Sequence, residues 1–293
     1  MTEAWHIGVI GGSGLAAGIG LERAQEIEVS SPFGLPSGPV TMGWLGDVRF
    51  SFLPRHGPGH RIPPTDVNFR ANIDALKRCG VTDVIALSAI GSLNSAMAPG
   101  HFVAVDQFID RTTARQGSFF GPGLVAHVSM ADPVCPRLHA GLIGAARGED
   151  AFIHDSGTYI AIEGPQFSTR AESKLYQSWG ADVIGMTALP EARLAREAEL
   201  PYALLAMVTD YDSWRESEAG VEADAVIDVM HRNVALAHRV VRRFAAMLPA
   251  RRSASPIDFA LDHAVMTAPA ARDPVLIAKL HAVAGRVIGP GRT

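Results

Sequence analysis

Hydrophobic residues occur along this chain in short runs that alternate with amphipathic segments. The clearest run covers residues 203–208 and is bounded by Pro201 and Thr209. A near-continuous apolar run of this length is typical of a strand buried on both faces, as in a parallel sheet. Shorter runs and alternating segments predict further strands over residues 5–10, 26–54, 82–87, 100–105, 158–162 and 182–184.

Amphipathic segments follow most of these strands and predict helices. The expected helices cover residues 65–78, 136–147, 169–179, 190–198, 221–248, 257–265 and 274–287. Thr65 or Asp66 can cap the first helix, and Thr169 with Glu172 has the form of a capping box. The alternation of strands and helices predicts a single-domain α/β fold, in which helices flank a mixed central sheet with partly parallel strands.

A linker-like stretch at residues 250–256 divides the chain unequally. We expect residues 1–250 to form the main domain. Residues 251–293 are expected to form a C-terminal helical extension that packs on this same domain.

Composition and charge exclude several classes of function. The 293 residues are 47% hydrophobic and 19% charged, which allows a sizeable core, and the net charge of −4 argues against a general nucleic-acid or membrane-surface binder. No apolar run is long enough to span a bilayer, and the first residues do not resemble a signal peptide. Cys79 and Cys135 form no CxxC pair, so a reducing cytoplasm is the simplest setting.

Small and polar residues stand where several predicted strands end, which is where open α/β sheets bind their ligands. Asp210 and Asp212 directly follow the buried run at 203–208. The other strand ends carry Gly11–Gly14, Arg55 with His56, Ser88 with Ala89, and Met186 with Thr187. Hydroxyls, main-chain N–H groups and an arginine can cradle an oxyanion, whereas carboxylates accept amine hydrogens or deliver a proton. A nucleoside that is cleaved by phosphate needs both kinds of group.

Three other interpretations of these residues stay open. Aspartate is common where a strand stops, because its side chain bonds the nearby backbone. The spacing Gly12-x-Gly14-x-x-Ala17 matches a loose dinucleotide fingerprint and would suit an oxidoreductase, although Gly18 and Gly20 make a poor start for the helix that the motif requires. A nucleotide-binding module without activity would share the anion cradle but has no need of the acidic pair.

A set of motifs then points to one family. They are IGGSGL at 10–15, RHGPGH at 55–60, VNFRAN at 67–72, DQFIDRT at 106–112, EGPQFSTRAE at 163–172, WGAD at 179–182, MT at 186–187 and TDYDSW at 209–214. With these motifs in register from residue 6 to about 248, the chain resembles the trimeric purine nucleoside phosphorylases. Within that family it is most similar to the enzymes that act on 5′-methylthioadenosine.

The resemblance implies a role for each matching residue. Phosphate would be held by Ser13, Arg55, His56, Ser88, Ala89 and Thr187. The nucleoside would be bound by Phe167 over the purine, Met186 against the ribose, Asp210 and Asp212 at the purine edge, and His60, Val226 and Ile227 around the 5′ substituent, with His127 reaching it from a neighbouring subunit. Ser168 and Ala223 fall where the family tunes substrate choice. Asp210 and Asp212 would be catalytic, with a protonated Asp210 near purine N7 as the general acid.

The implied activity is that of a pentosyltransferase that converts S-methyl-5′-thioadenosine and phosphate into adenine and 5-methylthioribose 1-phosphate, in methionine and purine salvage. The family implies a homotrimer with the site near a subunit interface, inorganic phosphate as co-substrate, and neither cofactor nor metal. Two aspartates at the purine edge predict a preference for 6-aminopurines, while a 6-oxopurine or methylthioinosine phosphorylase stays as the alternative. Gly185 departs from the asparagine of the animal enzymes, and Ser13 and Ser88 replace threonines.

Overall fold

A mixed sheet organises the fold in the computed structural model, which describes residues 4–12, 19–215 and 223–289. Its strands are β1 (His6–Gly11), β2 (Glu22–Ile27), β3 (Val40–Leu45), β4 (Val48–Pro54), β5 (Asp83–Ser92), β6 (Phe102–Val105), β7 (Gln107–Asp110), β8 (Ile153–His154), β9 (Thr158–Ala161), β10 (Val183–Gly185) and β11 (Tyr202–Asp210). Strand β5 is central, since it pairs in parallel with β1 and β11 and antiparallel with β10. The predicted mixed sheet with partly parallel strands is confirmed.

Helices flank this sheet largely where the sequence predicted them. They are α1 (Phe69–Arg78), α2 (Pro136–Arg147), α3 (Arg170–Ser178), α4 (Ala188–Glu197), α5 (Ala223–Met247), α6 (Pro274–Lys279) and α7 (His281–Ile288). The capping box of Thr169 and Glu172 is confirmed at the start of α3. None of the helices in the described part of the chain has the length and apolar character needed to cross a membrane.

Three details of the helix prediction are wrong. The segment predicted as a helix over 274–287 is divided at Leu280 into α6 and α7. Helix α1 is capped by Asn68, whose side chain accepts a hydrogen bond from the Ala71 N–H, and the expected caps Thr65 and Asp66 instead belong to a short 3-10 turn. Residues 257–265 do not form one helix. A 3-10 turn covers Pro256–Phe259, and the chain then bends so that the backbone of Val265 bridges to Ala126 on a distant loop.

Strand β11 is buried on both faces because hydrophobic layers cover the sheet on each side. Leu204 and Ala206 belong to the core that includes α1 and α4, whereas Ala203, Leu205 and Met207 belong to the core that includes α2 and α5. This arrangement explains why the sequence of β11 is continuously apolar and does not alternate with polar residues.

Residues beyond 250 are tied to the sheet by a buried cluster of charges. Arg252 donates from Nε to Asp83 at 2.5 Å and from Nη2 to Asp258 at 2.6 Å, and Arg137 also pairs with Asp83. Further along, Leu261, Leu280 and Val283 join the core that contains α1. The C-terminal segment therefore completes one face of the fold.

We predict that Arg252→Ala lowers the free energy of unfolding by about 3 kcal/mol, because it leaves buried carboxylates without their main cation. Urea unfolding at a single protein concentration measures this change. The control is Arg147→Ala, which breaks a pair with Asp155 in which both side chains are more than half exposed and should cost at most about 1 kcal/mol. Equal losses in the two variants would contradict the buried-cluster account.

Candidate active site

Strands β5 and β11 bring the predicted anion-binding and acidic residues together. Ser88 and Ala89 lie within β5, which continues to Ser92, and not at the end of a strand as the sequence predicted. Strands β5 and β11 run in parallel, with Ser88 opposite Ala206, Ala89 opposite Met207 and Gly91 opposite Asp210. A strand advances about 3.3 Å per residue, so the distance along β5 from the Ser88–Ala89 pair to the level of Asp210 is roughly 7–10 Å. That distance is about the width of a sugar.

Two buried hydroxyls form the centre of the anion-binding end. Ser88 Oγ lies 3.3 Å from Thr187 Oγ1, and both residues are buried. Thr187 immediately precedes α4, and its side chain makes no capping hydrogen bond to that helix. The two hydroxyls can therefore turn towards a ligand oxygen placed above them.

Arg55 bonds the carbonyl of Leu87, the residue before Ser88, and is held by Glu191 of α4. Its Nε and Nη2 donate to the two Glu191 carboxylate oxygens at 2.8 and 3.0 Å, and Tyr202 Oη donates to the same carboxylate at 2.9 Å. Nη1 and Nη2 also donate to the carbonyls of Leu87 and Ile10. Burial alone would lower the pKa of Arg55, but the Glu191 carboxylate outweighs burial and raises this pKa. The described contacts occupy four of the five guanidinium N–H groups, which leaves one on Nη1 for a ligand.

The imidazole of His56 is neutral and faces the protein. Burial, followed by the charge of Arg55, lowers the pKa of His56 to about 4. Its Nδ1 lies 2.9 Å from the Ile62 carbonyl, which can only accept, so Nδ1 carries the ring proton. The ring stacks on His60 at 4.3 Å. Because a neutral ring with this tautomer offers only an acceptor at Nε2, it is not a cationic group for phosphate.

Asp210 and Asp212 lie together at the end of β11. Asp210 Oδ1 accepts from the Asp212 N–H at 2.7 Å, and Oδ2 accepts from Thr209 Oγ1 at 2.7 Å. Burial raises the pKa of Asp210, the charge of Asp212 adds to this, and the hydrogen bonds oppose it. The pair fits against β5 because position 91 is glycine, where a Cβ would lie 2.9 Å from Asp210 Oδ1.

Asp212 is oriented by helix α3. Its carboxylate accepts a hydrogen bond from the fully buried Ser173. Ser168, which lies just before α3, is also next to the Asp212 carboxylate. Burial raises the pKa of Asp212, and the bond from Ser173 opposes that rise. The residue has a φ of 49°, a left-handed conformation that aspartate tolerates better than most side chains. Sequence reasoning missed Ser173, although it follows the capping box on the same helix.

Arg115 fixes the loop that carries Met186. It donates to the carbonyls of Met186 and Leu189 at 2.5 and 2.8 Å, and it pairs with Glu163 at 2.8 Å. A Cβ at Gly164 would overlap Met186 Sδ, so the Met186 side chain packs directly on the backbone of Gly164. Arg115 was not identified from the sequence because its partners are far along the chain.

The other predicted residues fall into three groups. Phe167 is 44% exposed and is free to cover a flat ligand. His127 lines a cavity with Arg193 and Glu197, at the opposite end of α4 from Thr187, so the fold of this chain does not bring it to the hydroxyl pair. Ser13 and the side chains of Ala223, Val226 and Ile227 lie outside the residues that the structure describes.

Comparisons with known proteins match most of the chain. A family model described as the phosphorylase superfamily matches residues 6–246. The S-methyl-5′-thioadenosine phosphorylase of Cereibacter sphaeroides is 56% identical over 284 residues, which cover 96% of this chain and 98% of that protein.

Solved structures of similar proteins share the fold. The crystal structure of a methylthioadenosine phosphorylase sourced from an Antarctic soil metagenomic library has a TM-score of 0.91 and 43% identity, and the match covers 96% of this chain and 99% of that one. The methylthioadenosine phosphorylase from Schistosoma mansoni in complex with adenine has a TM-score of 0.80 and 38% identity, and the match covers 83% of this chain and 91% of that one.

The neutral state of His56 predicts a dependence of stability on pH. Its pKa of about 4 lies below the ordinary value of 6.5, so between these pH values the folded state binds fewer protons than the unfolded chain. The contribution of His56 to the free energy of unfolding should therefore rise from pH 4 to pH 6.5. His6, whose pKa burial also lowers to about 4, contributes in the same direction. Glu197, whose pKa burial raises from 4.5 to about 7, contributes in the opposite direction.

Replacing His56 by glutamine should lower the slope of the free energy of unfolding against pH between pH 4 and pH 6.5, because the contribution of this imidazole is removed. Urea unfolding at several pH values between 4 and 7 measures the slope. His263→Gln, which removes an exposed imidazole, is the control and should leave the slope unchanged. A His56→Gln protein with the wild-type slope would show that this ring is not kept neutral by the fold.

Proposed function

The chain belongs to the phosphorylase superfamily, and we propose that it cleaves S-methyl-5′-thioadenosine with phosphate to give adenine and 5-methylthioribose 1-phosphate. The observation that carries this proposal is that the Ser88 hydroxyl, which lies beside the Thr187 hydroxyl, is on the strand that pairs with β11, about 10 Å along that strand from the level of Asp210. Two of its relatives are named methylthioadenosine phosphorylases, and these names support methylthioadenosine as the substrate.

Phosphate is bound mainly by hydrogen bonds at its end of the site. The charge of Arg55 is balanced by Glu191. The arginine can therefore donate one N–H to phosphate, but it does not act as an unpaired positive charge. We assign the remaining contacts to the hydroxyls of Ser88 and Thr187, the backbone of Ala89, the main-chain N–H of His56, and Ser13. A phosphate held in this way is positioned beneath C1′ of the ribose, which can supply several kcal/mol of the barrier.

The reaction exchanges one bond at C1′ for another. As the bond from C1′ to purine N9 breaks, positive charge develops on the ribose and negative charge on the base. A phosphate oxygen forms the new bond to C1′, and a proton passes from Asp210 to N7 of the leaving adenine. The raised pKa of Asp210 favours the protonated acid that this step needs.

Thr209 can accommodate either protonation state of Asp210. Its hydroxyl lies 2.7 Å from Asp210 Oδ2 and 3.1 Å from the Ile90 carbonyl. When Oδ2 is ionised, the hydroxyl donates to it. When Oδ2 carries the proton, the hydroxyl turns to Ile90 and leaves that proton to face the base.

Asp212 selects the base. Ser173 occupies one carboxylate oxygen, so the other can accept from the 6-amino group of adenine. A 6-oxo purine would place its O6 near a carboxylate and be repelled. Phe167 covers the purine face, Met186 packs on the ribose, and Ser168 and Ala223 adjust the fit.

The 5′ end of the substrate requires a second chain. We assign it to His60, Val226 and Ile227 of one protomer and to His127 of a neighbour, because His127 lies at the far end of α4 from the hydroxyl pair. A homotrimer with sites near its interfaces would meet this need. We propose that the enzyme acts in the cytoplasm, in methionine and purine salvage, without a cofactor or metal and with neither nucleic acid nor membrane as a partner.

The acidic pair predicts a preference for 6-aminopurines. Purified protein with phosphate should cleave methylthioadenosine faster than methylthioinosine or inosine, as measured by release of the free base. Reactions without phosphate are the control and should release little base. Faster cleavage of either 6-oxo substrate would contradict the role given to Asp212.

Asp210→Asn should lower kcat on methylthioadenosine by at least about tenfold, because the amide cannot supply a proton to N7. The KM for phosphate should change little, since Asp210 lies at the base end of the site. Asp66→Asn, a change on an exposed turn, is the matched control. Unchanged kinetics in Asp210→Asn would remove the general-acid role.

A further inference from the structure

Gly185 is the last residue of β10 and directly precedes Met186 and Thr187. Any larger residue at this position would collide with a neighbouring side chain. A Cβ built at this position would lie 2.7 Å from Cζ and 3.0 Å from Cε2 of Tyr159, and it would overlap the Tyr159 hydroxyl oxygen. The φ of Gly185 lies outside the left-handed region. Glycine is therefore needed here for space and not for backbone conformation.

Tyr159 reaches this space from the neighbouring strand. Strand β9 pairs in parallel with β10, with Tyr159 opposite Val183 and Ala161 opposite Gly185. The ring is fully buried in the core on the side of α1 and α4, and it meets the edge of Phe108 at 6.0 Å. Such a ring has little freedom to move away from an added methyl group.

The Tyr159 hydroxyl contacts the backbone of Thr187, one of the two residues at the anion-binding end of the site. It accepts a hydrogen bond from the Thr187 N–H at 3.2 Å. The same threonine presents its own hydroxyl to Ser88 at 3.3 Å. Fixing the Thr187 peptide therefore fixes the spacing of the two hydroxyls, because its N–H is buried and would be costly to leave without a partner.

We propose that Tyr159 is a positioning residue for phosphate: its hydroxyl fills the space left by Gly185 and holds the Thr187 peptide so that its side chain faces Ser88. The proposal rests on the proposed function for its kinetic test. It also explains why position 185 is glycine and not the asparagine of the animal enzymes. The space that an asparagine side chain would need is already occupied by the ring of Tyr159. Positions 159 and 185 thus form one unit in this chain.

The hydroxyl is tested by Tyr159→Phe, which keeps the ring and removes only the acceptor for the Thr187 N–H. We expect the KM for phosphate to rise about tenfold, with less than a threefold change in the KM for methylthioadenosine. A uniform fall in kcat with an unchanged KM for phosphate would overturn the positioning role.

The shared space is tested by a double-mutant cycle. Gly185→Ala alone should raise the KM for phosphate at least as much as Tyr159→Phe, because its methyl group displaces the ring. In a Tyr159→Leu background, where the ring is absent, adding Gly185→Ala should change that KM by less than twofold. An equal effect of Gly185→Ala in both backgrounds would show that Tyr159 is not what requires glycine at position 185.

A second glycine controls for general destabilisation. A Cβ at Gly141 on α2 would lie 2.8 Å from Phe244 Cε2 on α5, in the core on the other face of the sheet. Gly141→Ala should lower the melting temperature and leave the KM for phosphate unchanged. If it raises that KM as much as Gly185→Ala does, the effect at Gly185 is not specific and the proposal fails.

Thermal shift with inorganic phosphate separates this proposal from the proposed function. If the wild type is stabilised by phosphate but cleaves no methylthioadenosine, the proposed function fails, and the positioning role is judged by whether Tyr159→Phe loses the stabilisation. Retained stabilisation in Tyr159→Phe would overturn it. If phosphate does not stabilise the wild type and no cleavage occurs, both proposals fall.

Discussion

The buried pair of Arg55 and Glu191 is the interaction on which the site depends. A desolvated guanidinium needs a carboxylate, and here the fork of Arg55 meets both oxygens of Glu191. Arg55 follows β4 and also bonds Ile10 near the end of β1 and Leu87 in the middle of β5, whereas Glu191 belongs to α4. The pair therefore ties the start of α4 to the sheet. A buried ion pair adds little net stability in general, so its main effect here is to place Thr187 against Ser88.

Strand β5 then sets the distance between the two halves of the chemistry. In the proposed site, Ser88 and Ala89 contact the phosphate, and two positions after Ala89 the glycine at 91 makes room for Asp210. The phosphate end and the base end of the proposed site are both buried, but burial has a different effect on the titratable groups at each end. At the proposed phosphate end, burial keeps His56 neutral, so hydrogen bonds would hold the anion there. At the base end, burial raises the pKa of Asp210 and favours the form that can donate a proton.

The sequence predicted the elements whose signals are local. The apolar run of β11 and the capping box at Thr169 depend on neighbouring residues, and both are confirmed. Contacts between distant segments could not be read in this way. Glu191 looks like an ordinary polar position near the start of a helix, and only the fold shows that it is buried against Arg55. The turns after Pro256 replace a predicted helix because Val265 bridges to a remote loop.

The most direct test of the account is a crystal structure of the protein with phosphate and adenine bound together. We predict that phosphate oxygens lie within hydrogen-bonding distance of Ser88 Oγ and Thr187 Oγ1, with adenine N7 against the Asp210 carboxyl and a ribose-sized gap between the two ligands. An anion bound away from this hydroxyl pair, or an adenine that does not face Asp210, would contradict the account.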